Sequence, residues 1–354
     1  MLVTLKDQGS QELALRLAPH GVDAGLARRL LAAAVRRSEF PEVGPGLSAS
    51  LLARLKECCR IPLLDLVERV ESPADGFVRY LFSGDGPGLF EAVRIPLIHR
   101  TGNEKYVVCV SCQVGCPMGC AFCATGRLGW TRDLAAWEMV DQVRAVAADS
   151  TLPVRGVVFM GMGEPMLNYD SVMRAAGILS EPCGMAIAAK AITISTVGVV
   201  AGIRRFTCER RPYRLVVSLT SADPVQRAKW LPVEHENPTA EVVNTLREYH
   251  AATGERVIIA WIMMSGFNTR EEDARQLAAL TAGLPVKIDL IDVNDPTGRY
   301  RPPGSVELNA FRDALRRHVQ APIARRYSGG ADIAAACGML AGSTSRTAPG
   351  AALC

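Results

Sequence analysis

Tyr106-Val-Val-Cys-Val-Ser-Cys-Gln-Val-Gly-Cys-Pro-Met-Gly-Cys-Ala-Phe-Cys-Ala-Thr-Gly126 begins as an apolar run ending at Val110 and turns into a loop carrying Cys116, Cys120 and Cys123. An apolar run that stops at glycine and proline reads as a strand delivering a loop. The spacing Cys-x3-Cys-x2-Cys sets three thiols on that loop. Such a set suits three irons of a four-iron four-sulfur cluster and leaves the fourth iron open to an amine and a carboxylate. Structural zinc needs four ligands, usually as two separated pairs, and no second Cys/His pair stands at a suitable distance.

Downstream of this loop, strand candidates alternate with helix-compatible stretches. They run from Gly156 to Met160, Ala191 to Ser195, Leu215 to Leu219, Val257 to Met263 and Lys287 to Val293. Alternation of this kind predicts an α/β protein, a partial or complete (β/α) barrel whose chemistry sits at the carboxyl ends of the strands. Polar residues gather at those ends. Gly161-Met-Gly-Glu-Pro165 follows the first candidate, with Gly163 letting backbone approach a ligand and Glu164 offering an acceptor to an ammonium group. Ser195, then Ser218, Leu219 and Thr220, then Asn294 close the later strands, a set suited to a zwitterion plus a ribose. Each has a plain alternative as a turn or a helix cap.

Upstream, apolar residues from Gln11 to Arg60 recur at helical spacing, with a break from Pro41 to Gly46. Short β-like runs follow, from Phe77 to Phe82, Phe90 to Leu97 and Tyr106 to Val110, around the glycines at 84–88. The predicted order is a helical unit over 1–65, a β-hairpin extension over 66–108, the barrel with a C-terminal loop over 109–342, and a flexible tail over 343–354.

With 49% hydrophobic residues in 354, the chain has ample apolar content for a large core. Forty Lys and Arg against 36 Asp and Glu leave a net charge of +4, which permits a nucleic-acid partner without arguing for one. No charged start followed by an apolar run appears, and no uninterrupted apolar stretch suits a spanning helix, so a cytoplasmic protein with no membrane contact is expected. Five of the 11 cysteines fall between Cys109 and Cys123, which favours metal or redox chemistry over a disulfide framework.

The cysteine triplet with Phe122 resembles the signature of radical S-adenosylmethionine (SAM) enzymes. Four stretches carry a tighter resemblance, to the RlmN/Cfr family of RNA adenosine methyltransferases: Glu91 to Pro96, Cys109 to Gly126, Gly161 to Pro165 with Asn168, and Asp332-Ile-Ala-Ala-Ala-Cys-Gly338. The resemblance implies the radical SAM type of partial barrel, a 4Fe-4S cluster on Cys116, Cys120 and Cys123, and SAM held by Gly163, Glu164, Ser195, Ser218, Leu219, Thr220 and Asn294. It further implies a two-SAM route in which Cys337 carries the methyl group, Cys109 resolves the protein–RNA adduct through a disulfide, and Glu91 accepts a proton. The implied target is carbon 2 of an adenosine in 23S ribosomal RNA, with transfer RNA as a second substrate. The implied partners are RNA and a one-electron donor such as flavodoxin or ferredoxin, for an enzyme acting as a monomer.

The chain departs from the family's usual residues at Cys112 (Ser), Thr220 (His) and Met339 (Gln), and it lacks the aromatic-rich N-terminal helix. Carbon 8 of the same adenosine, or a small-molecule or peptide substrate, therefore stays open as an alternative. A non-catalytic RNA-binding or electron-carrier protein is a third reading, disfavoured because such a protein has no use for Glu91, Cys109 and Cys337 together.

Overall fold

The computed structural model describes residues 2–97, 102–295 and 297–343, so the tail expected at 343–354 lies, after Ser343, outside the described residues. Ten strands form the main sheet and lie side by side in chain order: β1 (Asp65–Glu71), β2 (Val78–Gly84), β3 (Gly86–Leu97), β4 (Lys105–Cys109), β5 (Val154–Phe159), β6 (Ile192–Thr196), β7 (Arg214–Ser218), β8 (Val257–Met263), β9 (Val286–Asp292) and β10 (Ile323–Arg326). β1 to β4 pair antiparallel, and from β4 to β10 every pairing is parallel. Parallel neighbours need a crossover, and most of these are single helices on one flank of the sheet. The sheet remains open, with β1 and β10 at its two edges, which makes the barrel a partial one.

Three helices precede the sheet: α1 (Ser10–Leu17), α2 (Ala24–Arg37) and α3 (Ala49–Cys58). Asp23 caps α2 by accepting the Leu26 amide at 2.7 Å, and Ser38 ends it in a left-handed conformation. Their apolar faces do not form a separate core. Leu13, Leu30 and Leu31 belong to one continuous apolar cluster with a longer helix that follows the short turn Ala124–Arg127, α4 (Ala136–Ala148), and with the sheet. At this seam Lys6 and Asp141 meet at 2.6 Å, both wholly buried.

Inside the partial barrel Val216, Ile258, Ala260 and Ile291 form a small apolar cluster, with Met160 and Ile262 packed on it. It fills the lower barrel and leaves the carboxyl ends of the strands as a floor for a ligand.

Candidate active site

The cysteine loop is held open by its own backbone. Gly115 has φ 76°, and a side chain there would place a Cβ 1.9 Å from the carbonyl oxygen of Gly129, so only glycine fits. The Cys116 amide then donates to that same Gly129 carbonyl at 2.7 Å, and the Ala121 amide donates to Trp230 at 2.9 Å. Cys116, Cys120 and Cys123 come to line one cavity at the mouth of the barrel. Burial pushes the Cys116 thiol up to about 12, partly offset by the amides of Met118 and Gly163, and pushes Cys120 well above its usual value. Neutral buried thiols of this kind become thiolates when a metal supplies the missing positive charge.

Among the described residues no three His, Cys, Asp or Glu side chains converge on a point for a single ion. The three cysteines instead flank a shared space, as a body larger than an ion requires. The donor set therefore fits an iron-sulfur cluster.

Strand ends supply the rest of this cavity wall. Gly163, at φ 105°, leaves room where a Cβ would come 2.7 Å from Gln113. Glu164, 2% exposed, accepts the Met166 amide at 3.0 Å and the Val197 amide at 2.9 Å and has no ion-pair partner among the described residues. Burial therefore wins over those two hydrogen bonds and a third from the Thr196 side chain, and pushes its carboxyl up to about 7. Ser195 and Ser218 line the cavity with hydroxyls that bond no described residue, and Asn294 lines it from beyond β9. Unpartnered polar atoms facing an apolar floor fit a small zwitterion with hydroxyls.

Leu219 and Thr220 do not line the cavity. β7 ends at Ser218, and Thr220 then turns left-handed at φ 63°, fully buried, with its carbonyl accepting Asn268 at 2.8 Å.

Cys337 sits on the loop after β10. Backbone and side-chain bonds fasten that loop to the cysteine loop: the Ala124 amide donates to Gly338 at 2.7 Å, and the Thr125 hydroxyl donates to Leu340 at 2.6 Å. On the other side, Asn294 donates to the Cys337 carbonyl at 3.3 Å and to Ser328 at 3.1 Å, while the Cys337 amide donates to the Ser328 hydroxyl at 3.0 Å. Asn294 thus serves the cysteine's loop as well as the cavity. The β extension adds anchors of its own, with Asp75 accepting the Gly330 amide at 2.8 Å and Ser72 donating to Asp332 at 2.9 Å.

Cys337 lines the cavity beside the cluster cysteines and also a second, smaller cavity whose wall includes Cys109. Its side chain opens into these spaces, so it keeps accessible surface while protein surrounds it, and burial raises its thiol. Cys109, at the end of β4, is buried, and its thiol is raised first by that burial and then by Cys337. Glu91 lines neither cavity. Its carboxylate takes the Arg79 guanidinium at 2.6 Å and the backbone amides of Ala341 and Gly342.

Sequence reasoning missed Ser328 and Thr125. Thr125 lay inside the cysteine motif. Ser328 gave no such signal.

A partial barrel whose mouth holds a three-cysteine loop opposite polar strand ends defines a radical SAM enzyme. The radical SAM superfamily profile matches residues 110–278. A probable RNA methyltransferase of Myxococcus xanthus is 48% identical over 344 residues, 96% of this chain and 94% of that protein. A probable dual-specificity RNA methyltransferase RlmN of Heliobacterium modesticaldum is 42% identical over 282 residues, 78% of this chain and 73% of that one. The crystal structure of a radical SAM methyltransferase from Sphaerobacter thermophilus superposes with a TM-score of 0.85 at 36% identity, covering 96% of this chain and all of the other. The chain belongs to the RlmN/Cfr family of radical SAM RNA methyltransferases. A 4Fe-4S cluster and SAM are the cofactors of this superfamily, and the donor sets described above fit both.

Among the described residues no helix is long and apolar enough to cross a membrane.

Proposed function

We propose that the chain methylates carbon 2 of an adenosine in 23S ribosomal RNA, with transfer RNA as a second substrate, through a methyl group carried on Cys337. One observation carries this reading: Cys337 and Cys109 share a small cavity, and Cys337 also lines the cavity beside Cys116, Cys120 and Cys123. When bound, cluster and SAM together supply a 5′-deoxyadenosyl radical, chemistry that belongs to the cofactors.

The chain's own residues do the rest. Cys337 stands where its sulfur receives a methyl group from one SAM and presents it to the radical made from another. Loss of a hydrogen atom leaves a carbon radical on the Cys337 sulfur, which adds to the electron-poor ring carbon. That carbon is no nucleophile, so direct attack on a sulfonium is closed to it. The adduct returns its unpaired electron to the oxidised cluster and loses the proton of the attacked carbon. The Cys109 thiolate then attacks the Cys337 sulfur, forming a sulfur–sulfur bond as the bond from that sulfur to the methylene carbon breaks, and the methylene takes up a proton to become the methyl group. The Cys109 thiol must lose its proton first, and its burial raises that cost.

In this reading Glu91 accepts a proton from the base, a role it reaches once residues 341–342 release its carboxylate. Glu164 holds the SAM ammonium group, and Ser195, Ser218 and Asn294 hold the remaining polar groups. The helical unit over 1–65 meets the RNA. The enzyme acts as a cytoplasmic monomer fed by a one-electron donor such as flavodoxin or ferredoxin.

Mass spectrometry of nucleosides from ribosomal and transfer RNA of a strain lacking this gene tests the reading. Loss of 2-methyladenosine is expected. Loss of 8-methyladenosine instead would move the attack to carbon 8, and unchanged RNA would reject an RNA substrate.

A further inference from the structure

Arg227 lies on the short helix Pro224–Trp230, wholly buried, and does not line the cavity of Glu164. Its three guanidinium nitrogens serve three segments. Nε donates to the Leu219 carbonyl at 3.2 Å, just past β7, and Nη2 donates to the Val197 carbonyl at 2.6 Å, just past β6. Nη1 takes the Glu234 carboxylate, which also accepts the Thr239 amide at 2.9 Å and hydroxyl at 2.8 Å. The pairing of β6 with β7 ends at Thr196 and Val217, and the guanidinium spans the gap beyond. A planar fork of fixed donors suits that task, where a lysine brings one nitrogen.

Val197 is gripped from both sides. Its amide donates to Glu164 Oε2 at 2.9 Å, and its carbonyl accepts Arg227. The next residue, Gly198, has φ 107°, and a Cβ there would stand 3.2 Å from Arg227 Nη2, so glycine leaves the guanidinium its room. The same helix also holds the cysteine loop, because its last residue, Trp230, accepts the Ala121 amide at 2.9 Å.

We propose that Arg227 is a positioning residue for SAM: through Val197 it fixes the Glu164 carboxylate at a set place relative to the cysteine loop, to which its own helix is bonded. This inference rests on the reading of Glu164 as the acceptor of the SAM ammonium group. SAM must meet that carboxylate and the cluster at once, so a small displacement of one against the other weakens it. The Arg227 charge is balanced by Glu234, which leaves Glu164 free to pair with the ammonium group. Arg227 therefore acts through Val197 and Glu164 rather than on the ligand.

The test is equilibrium dialysis of SAM on the unreduced, cluster-containing enzyme, in which SAM is bound but not cleaved, run as a double-variant cycle with Glu164→Gln. Arg227→Lys keeps a cation beside Glu234 and so avoids stranding a buried carboxylate. Gly198→Ala leaves Arg227 in place and crowds Nη2 at the Val197 carbonyl. Each is expected to weaken SAM about tenfold, and by no more than Glu164→Gln does, since the contact at stake is one hydrogen-bonded charge pair. In the Glu164→Gln background neither should weaken SAM further, while the melting temperature falls equally in both backgrounds and cluster absorbance is unchanged.

Unchanged SAM affinity in both variants overturns the assignment. So do losses that repeat in full in the Glu164→Gln background, the mark of general loosening. Loss of the cluster from Arg227→Lys also overturns it, confining Arg227 to the cysteine loop. If Glu164→Gln alone binds SAM as tightly as the unaltered enzyme, the reading of Glu164 fails and the proposal with it, a separate result because Arg227 is untouched.

Discussion

Glu91 Oε2 accepts the backbone amides of Ala341 and Gly342 at 2.7 and 3.0 Å, joining the middle of β3 to the loop that carries Cys337. Arg79 secures the other oxygen and is itself shared with Glu68 at 2.8 Å. Because Arg79 keeps Glu68, Glu91→Ala leaves two amides without an acceptor rather than a cation without a partner. A loss of about 1–3 kcal/mol is expected. Hydrogen exchange should quicken at Ala341 and Gly342 in the absence of RNA. A residue that acted only as a proton acceptor would leave that exchange unchanged.

The cysteine loop permits a direct check on the cluster. Single changes of Cys116, Cys120 or Cys123 to Ala should abolish SAM cleavage and reduce iron content after anaerobic reconstitution, because no other described cysteines line that cavity wall except Cys337. Full cluster absorbance in the triple variant would remove the assignment.

The raised carboxyl of Glu164 gives SAM binding a pH dependence. Its ordinary value is 4.5 and burial takes it to about 7, so between these values the folded protein holds a proton that the unfolded chain has lost. This group's contribution to stability therefore falls as pH rises through that window. An ammonium group placed beside it favours the ionised form, so SAM affinity should rise toward pH 7 with release of a proton. Calorimetry of SAM binding near pH 6 in buffers of different ionisation enthalpy reads that proton. In Glu164→Gln the buffer dependence should vanish.

Asp141 ties the N-terminal helices to the barrel. It takes Lys6 at 2.6 Å, the Leu64 amide at 2.9 Å and Arg144. Burial alone would raise its carboxyl, but Arg144, Lys6 and the Leu64 amide together hold it below its usual value of 3.8. The stability it contributes is present above that value and is lost as pH falls through its folded-state value. Asp141→Asn strands a buried lysine charge and should cost about 3–5 kcal/mol, read as a lower melting temperature at neutral pH and a shallower acid limb.

Much of this architecture was legible because the parallel strands are apolar runs ended by glycine or polar residues, as at Val257–Met263. β1 and β10 were not. Their sequences, Asp-Leu-Val-Glu-Arg-Val-Glu and Ile-Ala-Arg-Arg, carry the charges that edge strands place toward solvent, and those charges hide the strand pattern. In the site, single residues with distinctive chemistry read well: Cys116, Glu164 and Ser195 line the expected cavity. Roles that depend on contacts far apart in sequence did not read. Asn294 reaches Cys337 and Ser328, and Glu91 reaches residues 341–342, through folding alone.

The shared cavity of Cys109 and Cys337 separates a methyl carrier from a packing residue. If Cys337 carries the methyl group, purified enzyme should contain a methylated peptide spanning it, and Cys337→Ala should lose all transfer while the cluster persists. Cys109→Ala removes only the resolving thiol, so radical addition should still occur and enzyme should accumulate covalently joined to RNA. A blocked second step traps the covalent species formed in the first. The double variant should form no adduct, because the carrier is absent. A packing role for Cys337 makes the opposite forecast: a modest loss of stability on truncation, with normal methyl transfer. Denaturing electrophoresis of the two single variants after reaction with labelled RNA decides between them, and an active Cys337→Ala enzyme would rule out the carrier route.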